Sequence, residues 1–276
     1  MRAQQAWGVR DLTVTFGDVV ALDDVSVDVP DGQVVGLVGG DGAGKTTVLR
    51  ALVGEVRAQR GSVHAPPASR IGYLPASSGS WAELSVRENV DFVGRSFGLR
   101  GPALAARSET LLERAGLTGA RDRLARQLSG GMRRKLGFCL AVLAEPELLV
   151  LDEPSTGVDP VSRVELWRLV SEAAARGTAV VMSTTYLDEA ERCAALVVLD
   201  DGHVLVSGPP DQALDAVTGT VTVTTSPTHP ERAWRRGREH HEWWPPGERA
   251  HGQVVTPDLE DVVIAASLAR RAGVPA

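Results

Sequence analysis

The sequence predicts an α/β fold: parallel strands alternating with helices around a glycine-rich loop, interrupted by a helical segment and followed by a small α+β C-terminal extension. Three observations predict it. The short apolar run at residues 33–39 stops at glycines and passes into a helical pattern at 45–52, as a central parallel strand buried on both faces feeds a helix. A second apolar run, "LLVL" at 148–151, ends in the carboxylates Asp152 and Glu153. Between the two, from about residue 77 to 143, the apolar residues keep helical spacing.

Each element follows in turn. "LTVTF" (12–16) alternates as a half-buried strand, "ALDDVSVDV" (21–29) does so again, and "PDG" makes the turn into the buried run. "LSVRENVDFVGRSFG" and "ALAARSETLLERAGL" are read as helices of the inserted segment. The α/β rhythm then returns: strand "ELLVLDEP", helix "VSRVELWRLVSEAAARG", strand "TAVVMST", helix "YLDEAERCAA", and a strand pair "LVVLDDGHVLVSG" turning at Asp201-Gly202. Beyond Pro209-Pro210, "TVTVTT" alternates, "EHHEWWPPGE" is read as turn-rich, and "PDLEDVVIAASLARR" as an amphipathic helix with Pro257 at its start. The expected division is 1–212 for the core, with 77–143 inserted, and 213–276 for the extension.

Composition bounds the function. With 43% hydrophobic and 23% charged residues the chain can bury an ordinary core. A net charge of −6 argues against a general nucleic-acid binder, so no nucleic-acid partner is expected. Cys139 and Cys193 lack metal-ligand or redox spacing and are read as buried, reduced thiols. His229, His240, His241 and His251 match no metal-ligand pattern, and Arg232, Arg235, Arg236 and Arg238 are read as a solvated face. The N-terminal residues show no apolar signal region, and no apolar run approaches the roughly 18 residues of a membrane helix. A cytoplasmic location is therefore expected, with membrane contact only through a partner.

"GGDGAGKTT" at 39–47 fits the P-loop pattern through Gly39, Gly44, Lys45 and Thr46. Gly39, Gly40, Asp41, Gly42, Ala43 and Gly44 let the backbone wrap a phosphate, with amides pointing inward and the helix N-terminus behind them. Lys45 supplies charge for the β- and γ-phosphates and the Thr46 hydroxyl is suited to Mg²⁺, with Thr47 ending the stretch. Asp152, at the C-terminal end of a buried strand, is placed to hold Mg²⁺ through water, and Glu153 to take a proton from an attacking water. In "QLSGGMRRKLGF", Ser129 is an N-cap and Gly130 and Gly131 expose amides at a helix start, a second anion site.

The order of P-loop, helical block, "LSGGM", strand with Asp152-Glu153, then "STGVD" (155–159) resembles the ATP-binding subunit of ABC transporters over about residues 8–212. The resemblance implies an ABC-type P-loop ATPase using ATP and Mg²⁺, working with separate transmembrane permease subunits on the cytoplasmic face of the cell membrane. It implies a head-to-tail pair with a second ABC ATPase subunit, each ATP lying between one P-loop and the partner's "LSGG". On that reading Phe16 stacks on adenine, Lys45 and Glu153 are catalytic, Thr46 and Asp152 hold the metal, and Ser129, Gly130 and Gly131 touch the partner's γ-phosphate. Residues 155–159 couple the two sites, and the helical block faces the membrane subunits. The tail helix resembles bacterial drug and polysaccharide exporters, which favours export.

Two positions depart from the pattern. Ala76 stands where the family has Gln, and Ser77 or Ser78 are the nearby hydroxyls that could substitute. Thr185 stands where the family has His. A shorter hydroxyl reaches the γ-phosphate only through a water, and losing one preorganised donor costs about 3–4 kcal/mol in the transition state. Thr185 with Asp188 fits a capping box for the next helix, the reading preferred to a catalytic one. Both departures fall in this chain's own ATP site, whereas "LSGGM" serves the partner's. That pattern predicts an asymmetric pair; the alternatives are an ordinary homodimeric ATPase, a regulatory module that binds ATP without turnover, and a non-transport ABC protein.

Overall fold

The computed structural model of the protein describes residues 6–274. The chain runs through β1 (Ala6–Phe16), β2 (Val19–Pro30), β3 (Val34–Val38), α1 (Lys45–Leu52), β4 (Arg60–His64) and β5 (Ile71–Leu74). Three longer helices follow: α2 (Val86–Ser96), α3 (Gly101–Arg114) and α4 (Gly130–Val142). The α/β alternation resumes with β6 (Leu148–Leu151), α5 (Pro160–Ala175), β7 (Ala179–Thr184), α6 (Leu187–Ala190), β8 (Ala195–Asp200) and β9 (His203–Gly208). The C-terminal part comprises α7 (Pro210–Leu214), β10 (Thr220–Thr224), β11 (Ala233–Arg236), β12 (Glu239–Trp244), β13 (Gln253–Val254) and α8 (Leu259–Arg271).

The central sheet has the order β5-β6-β7-β3-β8-β9, parallel except for β9, which returns antiparallel to β8. Its middle strands are buried on both faces, which explains their unbroken apolar runs. On one face, Leu149, Leu151, Val180 and Met182 pack with residues of α2 to α5. On the other, Leu148, Val150, Val35 and Leu37 pack with α1 and the antiparallel sheet β2-β1-β4. The strands thus carry two cores, and their C-terminal ends deliver the loops that bear the charged residues.

Helix starts are set by local chemistry. Ser85 accepts from Glu88 N (3.2 Å) while Glu88 Oε2 accepts from Ser85 N (2.7 Å), a capping box that opens α2. Asp159 caps α5 with Pro160 in its first turn. Ser129 caps α4 by accepting from Met132 N, as its sequence context predicts.

Several expectations are corrected. "EHHEWW" is not a turn but strand β12, because Trp243 buries against Ala265 and Ala269 of α8 while Trp244, on the opposite face, donates Nε1–H to Thr222 Oγ1. The helix after β7 is a single turn, α6. The chain then turns inward, Cys193 fills the space beside Gly36, and Ala194 N bonds Val34 O to enter β8. Pro257 lies one residue outside α8, whose N-cap is Asp258 in a capping box with Asp261. Arg236 is not simply solvated: it pairs with Asp258, Glu260 and Asp261, fixing β11 to the start of α8. Residue 212, drawn as a boundary, lies inside α7. Helix α8 shares one core with β8 and β9 through Leu259 and Val262, and another with the small sheet through Ala265 and Ala269. Its Ser267 hydroxyl donates to Asp200 Oδ2 at 2.6 Å.

Candidate functional site

The loop between β3 and α1 adopts the conformation its glycines allow. Gly44 sits at φ 104°, and a Cβ there would stand 2.6 Å from Leu22 Cδ2 and 3.0 Å from Ala21 O, so β2 presses directly on the loop. A cleft of about 210 Å³ is lined by Ala21, Glu153 and the loop residues Asp41, Gly42, Ala43, Gly44, Lys45, Thr46 and Thr47. Lys45 is 5% exposed, and its Nζ donates to Gly39 O (2.7 Å) and Gly40 O (2.9 Å), 3.9 Å from Glu153 Oε1. A buried ammonium among loop carbonyls, at a helix start whose amides are free, is a ready anion site.

The carboxylates arrive from β6. Asp152, 1% exposed, accepts from Thr46 Oγ1 (3.2 Å) and Ser183 Oγ (2.7 Å) through Oδ1. The hydroxyl of Thr46 and the carboxylate of Asp152 form a hard oxygen pair at the helix start, a donor set that fits a small divalent cation completed by waters. Glu153 has a left-handed backbone (φ 46°) and is held at the cleft by its N–H to Ser183 Oγ (2.8 Å) and by Thr156 Oγ1 to its Oε2 (3.1 Å). One hydroxyl, Ser183 on β7, thus orients both carboxylates.

Phe16 is 51% exposed at the end of β1, so it is not part of the strand core. It pairs with Val19, and β2 continues to Ala21 at the wall of the cleft. Ser129, Gly130 and Gly131 do not line this cleft. A Cβ at Gly131 would meet Ser162 Oγ at 2.7 Å, so that helix start lies against the beginning of α5 and the loop at 155–159. The phosphate loop and the glycines that open α4 therefore lie apart within the chain.

The two departures are also placed. Ala76 is exposed, and the loop around it is gripped by Arg134 of α4, which donates to Pro75 O (3.1 Å), Ser77 O (2.8 Å) and Ala76 O. Burial pulls the Arg134 guanidinium below the ordinary arginine value, opposed by the Asp152 and Glu153 carboxylates. Ser77 is exposed and Ser78 is engaged with Ser80 (2.9 Å). Thr185 does not cap α6, contrary to the capping-box expectation. The N-cap is Tyr186, without a side-chain bond, and Thr184 Oγ1 accepts from Tyr186 N (3.0 Å) in the role expected of its neighbour. Thr185 itself is exposed, and its hydroxyl makes no hydrogen bond among the described residues. Sequence spacing did not single out Ser183 or Arg134, because each acts on a residue distant in the chain.

The remaining candidates lie elsewhere. His229 Nδ1 faces Glu242 (3.1 Å) and His241 Nδ1 faces Asp261 (2.7 Å), while His229 and His251 stack edge-on against Trp244. These are pairings inside the extension, and no group of metal-ligating residues is found among the described residues. Burial pushes both cysteine thiols up to about 12, which makes them inert. No helix among the described residues is long and apolar enough to cross a membrane.

Comparison with known proteins agrees with this geometry. A family model described as ABC transporter matches residues 22–156. The probable multidrug ABC transporter ATP-binding protein YbhF of Escherichia coli is 38% identical over 224 residues, covering 76% of this chain but only 38% of that protein. The Nod factor export ATP-binding protein I of Cupriavidus metallidurans is 37% identical over 222 residues, covering 76% of this chain and 73% of that one. Among solved structures, an ATP-binding subunit of an ABC transporter superimposes with TM-score 0.71 at 28% identity, over 76% of this chain and 92% of that one. A dimeric bacterial ABC transporter cassette does so with TM-score 0.66 at 22% identity, over 73% and 97%, a likeness of fold alone. With its phosphate loop, paired carboxylates and relatives in agreement, the chain belongs to the family of ATP-binding proteins of ABC transporters.

Proposed function

We infer that this chain binds MgATP and serves as one ATPase subunit of an exporter whose membrane subunits are separate proteins, with its own ATP site impaired in hydrolysis. The export reading is supported by relatives named for multidrug transport and Nod factor export. In the bound state Phe16 stacks on the base, and the amides of residues 39–47 with Lys45 take the phosphates. Thr46 and Asp152 hold Mg²⁺, which neutralises phosphate charge when bound. Glu153 faces the cleft as general base, oriented by Ser183 and Thr156. Ser129, Gly130 and Gly131 complete the site of a second, different ATPase subunit, and the helical block meets the membrane subunits at the cytoplasmic face.

The observation that carries impairment is the pair of departures: an exposed Thr185 without a partner among the described residues, and an Ala76 loop whose carbonyls are committed to Arg134. Neither side chain supplies a preorganised donor to the developing charge, so the site retains binding and loses rate. The test is MgATP hydrolysis by the purified chain against Glu153→Gln, with ATP binding measured on both. Binding by both and turnover indistinguishable between them is expected. Turnover well above the Glu153→Gln blank would favour an ordinary homodimeric ATPase.

A further inference from the structure

Glu189, in the one-turn helix α6, is 3% exposed, yet no Lys, Arg or His forms an ion pair with it among the described residues. A buried carboxyl without a counter-ion is costly unless hydrogen bonds compensate, so its partners show what holds it. There are two, and both reach the same oxygen. Ser155 Oγ donates to Glu189 Oε2 at 2.9 Å, and Thr184 Oγ1 donates to it at 2.7 Å. Ser155 and Thr184 are themselves buried. Thr184 Oγ1 in turn accepts from Tyr186 N at 3.0 Å. A continuous relay therefore runs from the amide that follows Thr185, through two hydroxyls and one carboxyl oxygen, to the first residue of the loop at 155–159.

A second contact joins the same two segments from the far end of that loop. Arg163, in the first turn of α5, places its guanidinium 4.5 Å from the centre of the Tyr186 ring and donates to Asp188 Oδ2 at 3.0 Å. The loop at 155–159 is thus tied to the turn at 184–188 both where it begins and where it ends.

We propose that Glu189 is a positioning residue that locks the loop at 155–159 to the turn carrying Thr185, so that the two segments move as one body. This rests on the proposed pairing with a second ATPase chain and on the coupling role that the resemblance gives residues 155–159: a partner that displaces the loop also displaces position 185, two residues after the Ser183 that orients Asp152 and Glu153. Because both hydroxyls use one oxygen, loss of either donor disturbs the other, the signature of a coupled network.

The test is amide hydrogen exchange on the full chain without nucleotide, for Ser155→Ala, Glu189→Gln, Glu189→Ala and the double variant Ser155→Ala/Glu189→Ala. Ser155→Ala is expected to accelerate exchange at the Tyr186 amide about tenfold, although it removes no atom from that turn. Glu189→Gln keeps an oxygen that accepts both hydroxyls and is expected to stay near the wild-type rate. Glu189→Ala reproduces the Ser155→Ala acceleration, and the double variant adds nothing to it. Unchanged Tyr186 exchange in Ser155→Ala, or a further acceleration in the double variant, would overturn the lock. A separate arm measures MgATP-driven association with a candidate second ATPase subunit. Its absence alongside a confirmed lock counts against the second-chain reading alone, since the exchange measurement uses neither partner nor nucleotide.

Discussion

Lys45 and Thr185 stand at opposite extremes of constraint. Lys45 is buried with two carbonyl partners and lines the cleft. Removing it by Lys45→Ala takes away a charge-assisted contact to phosphate, so ATP affinity is expected to fall about 10–100-fold, as read by direct titration. Thr185 is exposed and unengaged, so replacing it costs little structure. On the proposed reading, the double change Ala76→Gln/Thr185→His supplies the two polar groups that the family pattern has at these positions and is expected to raise turnover by about 10²–10³, with Glu153→Gln added on top returning it to the blank. No gain would place the rate defect elsewhere, with Arg134 and its grip on the loop the first suspect. That Lys45, Thr46, Asp152 and Glu153 come together was legible because each motif is local and of fixed spacing. Ser183, Arg134 and Glu189 were not, since a Ser on a buried strand or a Glu in an acidic helix acquires its meaning only from a partner that the fold brings from another element.

Elements carry the next level of specification, and their ends are where sequence reading succeeded unevenly. Ser129 announced α4 through a cap followed by glycines, whereas α6 shrank to one turn because entry into β8 and the burial of Cys193 beside Gly36 overrode a helical pattern. "EHHEWW" misled because Pro-Pro and charges flank it, while its pairing with β10 and β11 is a tertiary fact. Two caps can be tested. Ser85→Ala breaks the capping box of α2 and is expected to cost about 1 kcal/mol in denaturant unfolding. At α5, the Ser162 backbone N–H first, then its hydroxyl, and the Val161 N–H hold the Asp159 carboxyl below the ordinary aspartate value. A depressed carboxyl in the folded chain means the unfolded chain binds more protons, so this cap stabilises fully above about pH 4 and is lost as pH falls through the folded value. Asp159→Asn retains an accepting oxygen without titrating. The stability difference between it and the wild type, followed by unfolding from pH 7 down to pH 3, is therefore expected to shift in favour of the variant only at the acidic end.

At the scale of the whole molecule, the phosphate loop and the glycines that open α4 lie apart. The cleft at residues 41–47 is closed on its protein side by Ala21 and Glu153, while the glycines of α4 lie against the start of α5 and take no part in it. On the reading proposed above, a single chain holds half of each of two ATP sites, and pairing is expected to complete either. This separation makes pairing testable by complementation. In an Ala76→Gln/Thr185→His background, where the chain's own site is expected to turn over, one variant carries Lys45→Ala and a second carries Ser129→Arg. The first has lost its phosphate loop but keeps its "LSGG", and the second has the reverse. Each alone is expected to be inactive, because every site in either homotypic pair contains one damaged half. Mixing them creates pairs in which one site joins the intact loop of the second variant to the intact glycines of the first, so turnover is expected to reappear on mixing and to follow the square of concentration at low protein. Inactivity of the mixture, with both variants folded and the parent active, would mean that loop and glycines serve one chain rather than two. The same mixture without the Ala76 and Thr185 changes is expected to stay silent, because the reconstituted site is then the impaired one, and a different ATPase subunit must supply the working phosphate loop.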